Sequence, residues 1–144
     1  MKYKLILTLI LSTVAFNASA DKTNAIRLEQ RYVTLANSIN PSYSNASSVE
    51  GKVFFNRKFK LANGKEIACA SCHTTNPANV GKNIVTGKSI QPLSPITNPK
   101  RFTDLEKVED EFTKHCNDIL GTDCLPSEKA NFIAYLLTEY TPTK

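Results

Sequence analysis

The chain of 144 residues has no Trp, five Gly, two His, four Cys and a single Met, which is Met1. Losing that residue on processing would exclude a thioether ligand from any metal site. Beyond the first twenty residues no apolar run reaches the roughly 18 residues needed to cross a bilayer, which excludes a spanning helix in the body of the chain. Internal repeats, low-complexity tracts and strand-like alternation are missing too, so solenoid and β-rich architectures are set aside. Acidic residues are outnumbered, 13 Asp+Glu against 18 Lys+Arg, for a net charge of +5. With 41% hydrophobic residues the chain is too apolar and too balanced in charge for disorder. Its length suits one globular domain.

Met1 to Ala20 reads as an export signal. Lys2 and Lys4 form a positive head, Leu5 to Phe16 is almost wholly apolar, and Ala18-Ser19-Ala20 offers the small residues that signal peptidase accepts before Asp21. Export to the periplasm follows, in a compartment that permits disulfides. Removing the segment takes away two Lys and no acid, lowering the net charge from +5 to +3. That is too weak to argue for nucleic acid or an anionic membrane as partner. The expected division is residues 1–20 as signal peptide, 21–48 as an N-terminal helix and connector, and 49–144 as the main domain.

The remainder reads as all-α. Leu28, Tyr32, Leu35 and Ile39 recur at helical spacing, and Asn40-Pro41 ends that helix. Ser47 or Ser48 can cap a second, short helix carrying Val49, Val53 and Phe54, after which Lys58 to Gly64 reads as a basic turn. Residues 74–101 hold Pro77, Pro92, Pro95 and Pro99 with Gly81 and Gly87, and show no periodicity. An irregular stretch of about 28 positions is unusual unless it wraps something. Thr103-Asp104-Leu105-Glu106 fits a capping box, opening a helix with Leu105, Val108, Phe112, His115 and Ile119 on one face and a stop near Gly121. A last helix follows Pro126, with Phe132, Ile133, Leu136, Leu137 and Tyr140 on its buried side; Pro142 cannot continue it.

The chemistry is concentrated in Cys69-Ala70-Ser71-Cys72-His73. Thiols three residues apart lie about one turn apart on a helical segment, which lets them form thioethers with the two vinyl groups of a haem while the next imidazole reaches the iron. His73 is therefore the candidate proximal ligand. A zinc site built from Cys69, Cys72, Cys116 and Cys124 would need reduced thiols in an oxidising compartment. A thioredoxin-like dithiol expects a βαβ context. A disulfide within the pair would be strained and would explain neither His73 nor the long loop.

For the other face of the iron the candidates are His115, a Lys, a Tyr or an open position. Deprotonating a Lys from a pKa near 10.4 costs about 4 to 5 kcal/mol at neutral pH, whereas His, near 6.5, costs almost nothing. His115 also sits on the apolar stripe of its helix and is the sole remaining imidazole. Asn117, two positions on, points about 200° away. Cys116 and Cys124, with the other thiols spent on haem, should pair; the nine-residue loop they close is worth roughly 2.6 kcal/mol in the chain-entropy model.

Several of these stretches together resemble the sphaeroides haem protein family of small cytochromes c. They are Cys69 to His73, Thr86-Gly87-Lys88, Pro92-Leu93-Ser94-Pro95, Asn98 to Asp104, Lys107-Val108-Glu109, the Cys116 and Cys124 pair, and Glu128-Lys129-Ala130, spread between Val49 and Leu137. The resemblance implies a class I cytochrome c-like fold, preceded here by an additional N-terminal helix, with one covalent haem c, His73 as proximal ligand and a Cys116–Cys124 disulfide. It also suggests Lys88 and Arg101 as propionate neighbours, and a dihaem cytochrome c and a membrane cytochrome b as partners. In that family the distal ligand is characteristically an Asn just before the first disulfide cysteine, and it leaves the iron on reduction to admit small ligands. His115 stands at that position.

Two functions follow as expectations. One is an exported single-electron carrier with bis-His iron, its Lys58, Lys60, Lys65, Lys82, Lys88, Lys100 and Arg101 available to steer an acidic redox partner. The other is a haem protein that binds dioxygen, nitric oxide or carbon monoxide after His115 detaches. A peroxidase-like enzyme would want a further distal acid–base residue, and no His is left for that role.

Overall fold

A computed structural model describes residues 18–143. Met1 to Asn17, and with them most of the expected export signal, lie outside the described residues. The elements run α1 (Ala18–Ile39), α2 (Ser48–Asn56), β1 (Phe59–Lys60), β2 (Glu66–Ile67), α3 (Cys69–His73), β3 (Gly81–Lys82), β4 (Ser89–Ile90), α4 (Leu105–Leu120) and α5 (Pro126–Thr138). The all-α expectation holds, with two small corrections. The basic turn after α2 is an antiparallel β1–β2 hairpin with Phe59 opposite Ile67, and the irregular loop contains a second hairpin with Gly81 opposite Ile90.

The hub is α5. Ala130, Ile133, Tyr135 and Leu136 form its buried side and meet Ala25, Leu28 and Tyr32 of α1 and Phe55 of α2 in one core with Leu93 and Phe102. Phe55 packs 5.9 Å from Phe132 and 5.5 Å from Tyr135, centroid to centroid. Burying a ring of that size contributes about 1.5–3 kcal/mol. The N-terminal helix is thus part of the main core rather than an appendage. Its approach is fixed by Asn24 Nδ2, which donates to the carbonyl of Phe102, and by the Tyr32 hydroxyl, which donates to Glu109. The connector is pinned to α5 by Asn131 Oδ1, which accepts from the Tyr43 hydroxyl at 2.6 Å and the Ser47 amide at 2.8 Å.

Several expected faces are rotated. On α1 the inward residues are Ala25, Leu28, Tyr32 and Ala36, while Ile39 is 71% exposed and Leu35 also faces out. The buried positions thus hold two alanines beside Leu28 and Tyr32, and the larger aliphatics Leu35 and Ile39 end up outside. Val49 is 70% exposed and Val53 is exposed as well; Gly51, Phe54 and Phe55 are the buried face of α2. The α4 cap is Asp104, whose carboxylate accepts from the Lys107 amide at 3.0 Å, one residue later than the expected Thr103. Thr103 instead donates to the Lys100 carbonyl. Tyr140 lies beyond α5 and is exposed.

The long loop is held by side-chain amides and hydroxyls, not by a regular ladder. The Pro77 carbonyl accepts from the amides of both Leu93 and Ser94, Asn76 Nδ2 donates to the Thr141 carbonyl, and the Ser94 hydroxyl donates to the Glu139 carbonyl at 2.6 Å. Each bond replaces one to water, so the loop is pinned against the end of α5 without a sheet.

Gly51 marks the closest approach of two helices. A Cβ built there would lie 1.9 Å from the Asn131 carbonyl oxygen, so the α2–α5 crossing admits no side chain. Gly51→Ala is expected to destabilise the protein by at least about 1–3 kcal/mol, the usual cost of overpacking. Denaturant unfolding followed by circular dichroism measures it; an unchanged midpoint would mean the helices can separate freely.

Candidate functional site

The Cys69-to-His73 sequence forms the five-residue helix α3 directly after the β1–β2 hairpin. Ser71 Oγ accepts from the Ala68 amide at 3.0 Å, which closes the first turn. The chain leaves α3 through Thr74, whose φ of 60° is left-handed and whose hydroxyl donates to the Asn76 carbonyl at 2.8 Å. A β-branched residue in that region is strained, and the hydroxyl bond offsets part of the cost. Gly81 then passes so close that a Cβ would lie 2.3 Å from the Cys72 carbonyl oxygen, so the loop abuts α3 only because this residue has no side chain.

Behind α3 lies a cavity of about 370 Å³. Cys69, Cys72, His73, Arg101 and His115 all reach its wall. The rest is mainly apolar, from Ile67, Leu93, Phe102, Val108, Phe112, Ile119 and Leu136. The α4 stripe expected to be buried therefore lines the cavity, and of the α4 residues only Cys116 is buried outright. Lys88 is outside this wall, on the β3–β4 hairpin, where its carbonyl accepts from the Asn83 amide. A second, more open hollow of about 680 Å³ lies beside Cys72 and is walled by Ser71, Thr74 and residues 82–87.

Burial lowers the His73 pKa to about 4, helped by the positive charge of Arg101 and by His115. The imidazole is therefore neutral at pH 7, with a nitrogen lone pair to offer. Burial pushes the Cys69 thiol up to about 11. Opposite them, His115 is half-exposed, and its Nδ1 lies 2.8 Å from the Glu111 carbonyl oxygen and 3.2 Å from a Glu111 carboxylate oxygen. Both are acceptors, so Nδ1 is the donor and, in the neutral ring, Nε2 is the nitrogen with the lone pair. Such an outward bond is the orienting contact of a metal-ligating histidine.

The donor chemistry fits a haem: two thiols spaced for the vinyl groups, a neutral imidazole beside them, a second imidazole oriented through its Nδ1, apolar walls and one guanidinium. A four-cysteine zinc centre does not fit, because Cys116 and Cys124 are joined in a disulfide with Cα atoms 5.4 Å apart. Among the described residues no three of His, Cys, Asp and Glu gather as a metal cluster. Sequence reasoning missed Glu111, although a carboxylate four residues before His115 on a helix is a readable signal.

Residues 41–136 match the family described as Domain of unknown function (DUF1924). Cytochrome c'' of Methylophilus methylotrophus is 65% identical over 144 residues, covering 100% of both chains. The solution structure of M. methylotrophus cytochrome c'', reported with insights into the structural basis of haem-ligand detachment, matches with a TM-score of 0.80 at 71% identity, covering 86% of this chain and 100% of that one. The structure of oxidised SHP, described as an oxygen-binding cytochrome c, matches with a TM-score of 0.67 at 31% identity, covering 78% of this chain and 94% of that one.

The Cys116–Cys124 bridge ties the residue after His115 to the start of α5. Replacing both cysteines by Ser is expected to cost about 2–4 kcal/mol of stability. Equilibrium unfolding of the double variant against the oxidised protein checks the figure.

Proposed function

The chain belongs to the DUF1924 family and is a monohaem c-type cytochrome that binds haem c, and from that premise we propose that it is an exported carrier of single electrons whose iron is ligated by both His73 and His115. The observation that carries this reading is that the chain's two imidazoles reach one apolar cavity beside the Cys69 and Cys72 thiols. When bound, haem c supplies one-electron exchange between ferric and ferrous iron.

The chain's own residues divide the remaining work. Cys69 and Cys72 would hold the group by thioethers, which retain it in a domain too small to do so by packing alone. His73 is neutral by burial, so it need lose no proton to ligate, and His115 is oriented by its Nδ1 contact with Glu111. Arg101 on the cavity wall would meet a propionate; Lys88 would meet one only by reaching in from its hairpin. The apolar walls from Phe102, Phe112 and Leu136 keep water away and lower the local dielectric, so charge on the metal is felt strongly. Ligation by both His73 and His115 would favour oxidised iron more than a His and Met pair, setting a potential on the low side for a cytochrome c.

Docking uses the rim. Val85 is 88% exposed, lines the cavity and the neighbouring hollow, and stands between the exposed Lys82 and Lys88. Lys58, Lys60 and Lys65 are exposed around the adjacent β1–β2 hairpin, giving a basic surface with an apolar centre for an acidic redox protein such as another cytochrome. Among the described residues no helix is long and apolar enough to cross a membrane, which accords with an exported carrier.

A second reading is favoured by the half-exposure of His115 on a helix with so little buried surface. Here His115 leaves the iron on reduction and admits dioxygen, nitric oxide or carbon monoxide. The absorption spectrum of the reduced holoprotein separates the two: a low-spin ferrous form slow to bind carbon monoxide supports the carrier, and a high-spin form that binds it rapidly supports detachment. His115→Ala tests the ligand itself. The ferric protein is expected to turn from low-spin to high-spin, and a low-spin spectrum with unchanged potential would remove His115 from the site.

A further inference from the structure

Lys129 is the one lysine of α5, and only 7% of its side chain is exposed. An ammonium taken that far from water is costly unless its charge is met. Asp123 meets it, with both carboxylate oxygens 3.0 Å from Nζ. Two aromatic faces add to this: Nζ lies 5.5 Å from the ring centroid of Tyr32 and 5.8 Å from that of Phe112. Neither Lys129 nor Tyr32 lines the haem cavity.

Every group around Lys129 leads to α4. Asp123 adjoins Cys124, which is bonded to Cys116, the neighbour of His115. Phe112 lies one turn before His115 on the cavity side and packs edge-on against Tyr32, 5.9 Å between centroids. The Tyr32 hydroxyl donates to Glu109, further up the same helix, and Arg31 stands 3.6 Å from that carboxylate. With the edge-on packing of Phe112 on Phe132 of α5, 5.6 Å between centroids, these directional contacts tie α4 to α1 and α5.

We propose that Lys129 and Tyr32 are positioning residues for the distal imidazole: their cluster holds α4 so that His115 is presented to the iron at high effective concentration. The inference rests on the His115 ligation proposed above. Loosening the cluster leaves the helix formed but lets it drift, so an external ligand competes better for the distal face.

The test is the rate at which cyanide binds the ferric holoprotein, since cyanide must displace His115. Lys129→Leu is expected to raise that rate about tenfold and to add a high-spin fraction to the ferric spectrum, with haem still attached. In a His115→Ala background the same substitution is expected to leave the rate unchanged, because nothing remains to position. An equal change in both backgrounds, or no change with His115 present, overturns the proposal. If Lys129→Leu does not fold, Tyr32→Phe, which keeps the ring and removes only the bond to Glu109, decides by the same comparison. A ferric His115→Ala protein that stays low-spin overturns the ligand assignment and this inference with it; a high-spin one beside an unaltered Lys129→Leu overturns this inference alone.

Discussion

The crossing of α2 on α5 at Gly51 is the constraint on which the other elements depend. With backbone meeting backbone there, Phe55 reaches Phe132 and Tyr135, and α5 gains a fixed orientation. Its next face receives α1, and its Phe132 and Leu136 form one side of the haem cavity. The short hairpin after α2 then delivers α3 to the mouth. Backbone contact between helices is less adjustable than side-chain contact, so a cavity built on it keeps its shape.

The opposite wall is made differently. Helix α4 has the strong apolar stripe of a core helix, yet that stripe borders the haem cavity. A haem seated there would complete the hydrophobic core in the way a missing helix would, which would couple its binding to stability by mass action. Helix α4 is held by a disulfide at one end, by a polar and aromatic cluster along the side facing α1 and α5, and by packing of Cys116 and Phe112 with Phe54, Phe59 and Phe132.

Much of this was legible in the order of residues. The Cys69-to-His73 pattern, the Asn40-Pro41 break and Gly121 at the left-handed end of α4 are local signals, and local chemistry decides them. The inward faces of α1 and α2 do not follow the large aliphatics, for a different reason. Sequence periodicity weights large aliphatics, whereas the α2–α5 crossing requires Gly51 and the buried face of α1 includes Ala25 and Ala36, which leaves Ile39, Val49 and Val53 to solvent. The cap at Asp104 instead of Thr103 reflects two adjacent residues with equal capping chemistry, settled by which one the preceding turn engages. The Lys129 cluster could not be read at all, since it joins Tyr32, Phe112 and Asp123 from three separate stretches.

The contacts that close the fold span most of the chain: Tyr43 reaches Asn131 across 88 positions, and Tyr32 reaches Glu109 across 77. Both α1 and α2 close on α5, the last helix among the described residues. Until α5 docks, the Cys69-to-His73 segment sits on a chain without its core, so the topology leaves both thiols open to chemistry that the closed fold would restrict.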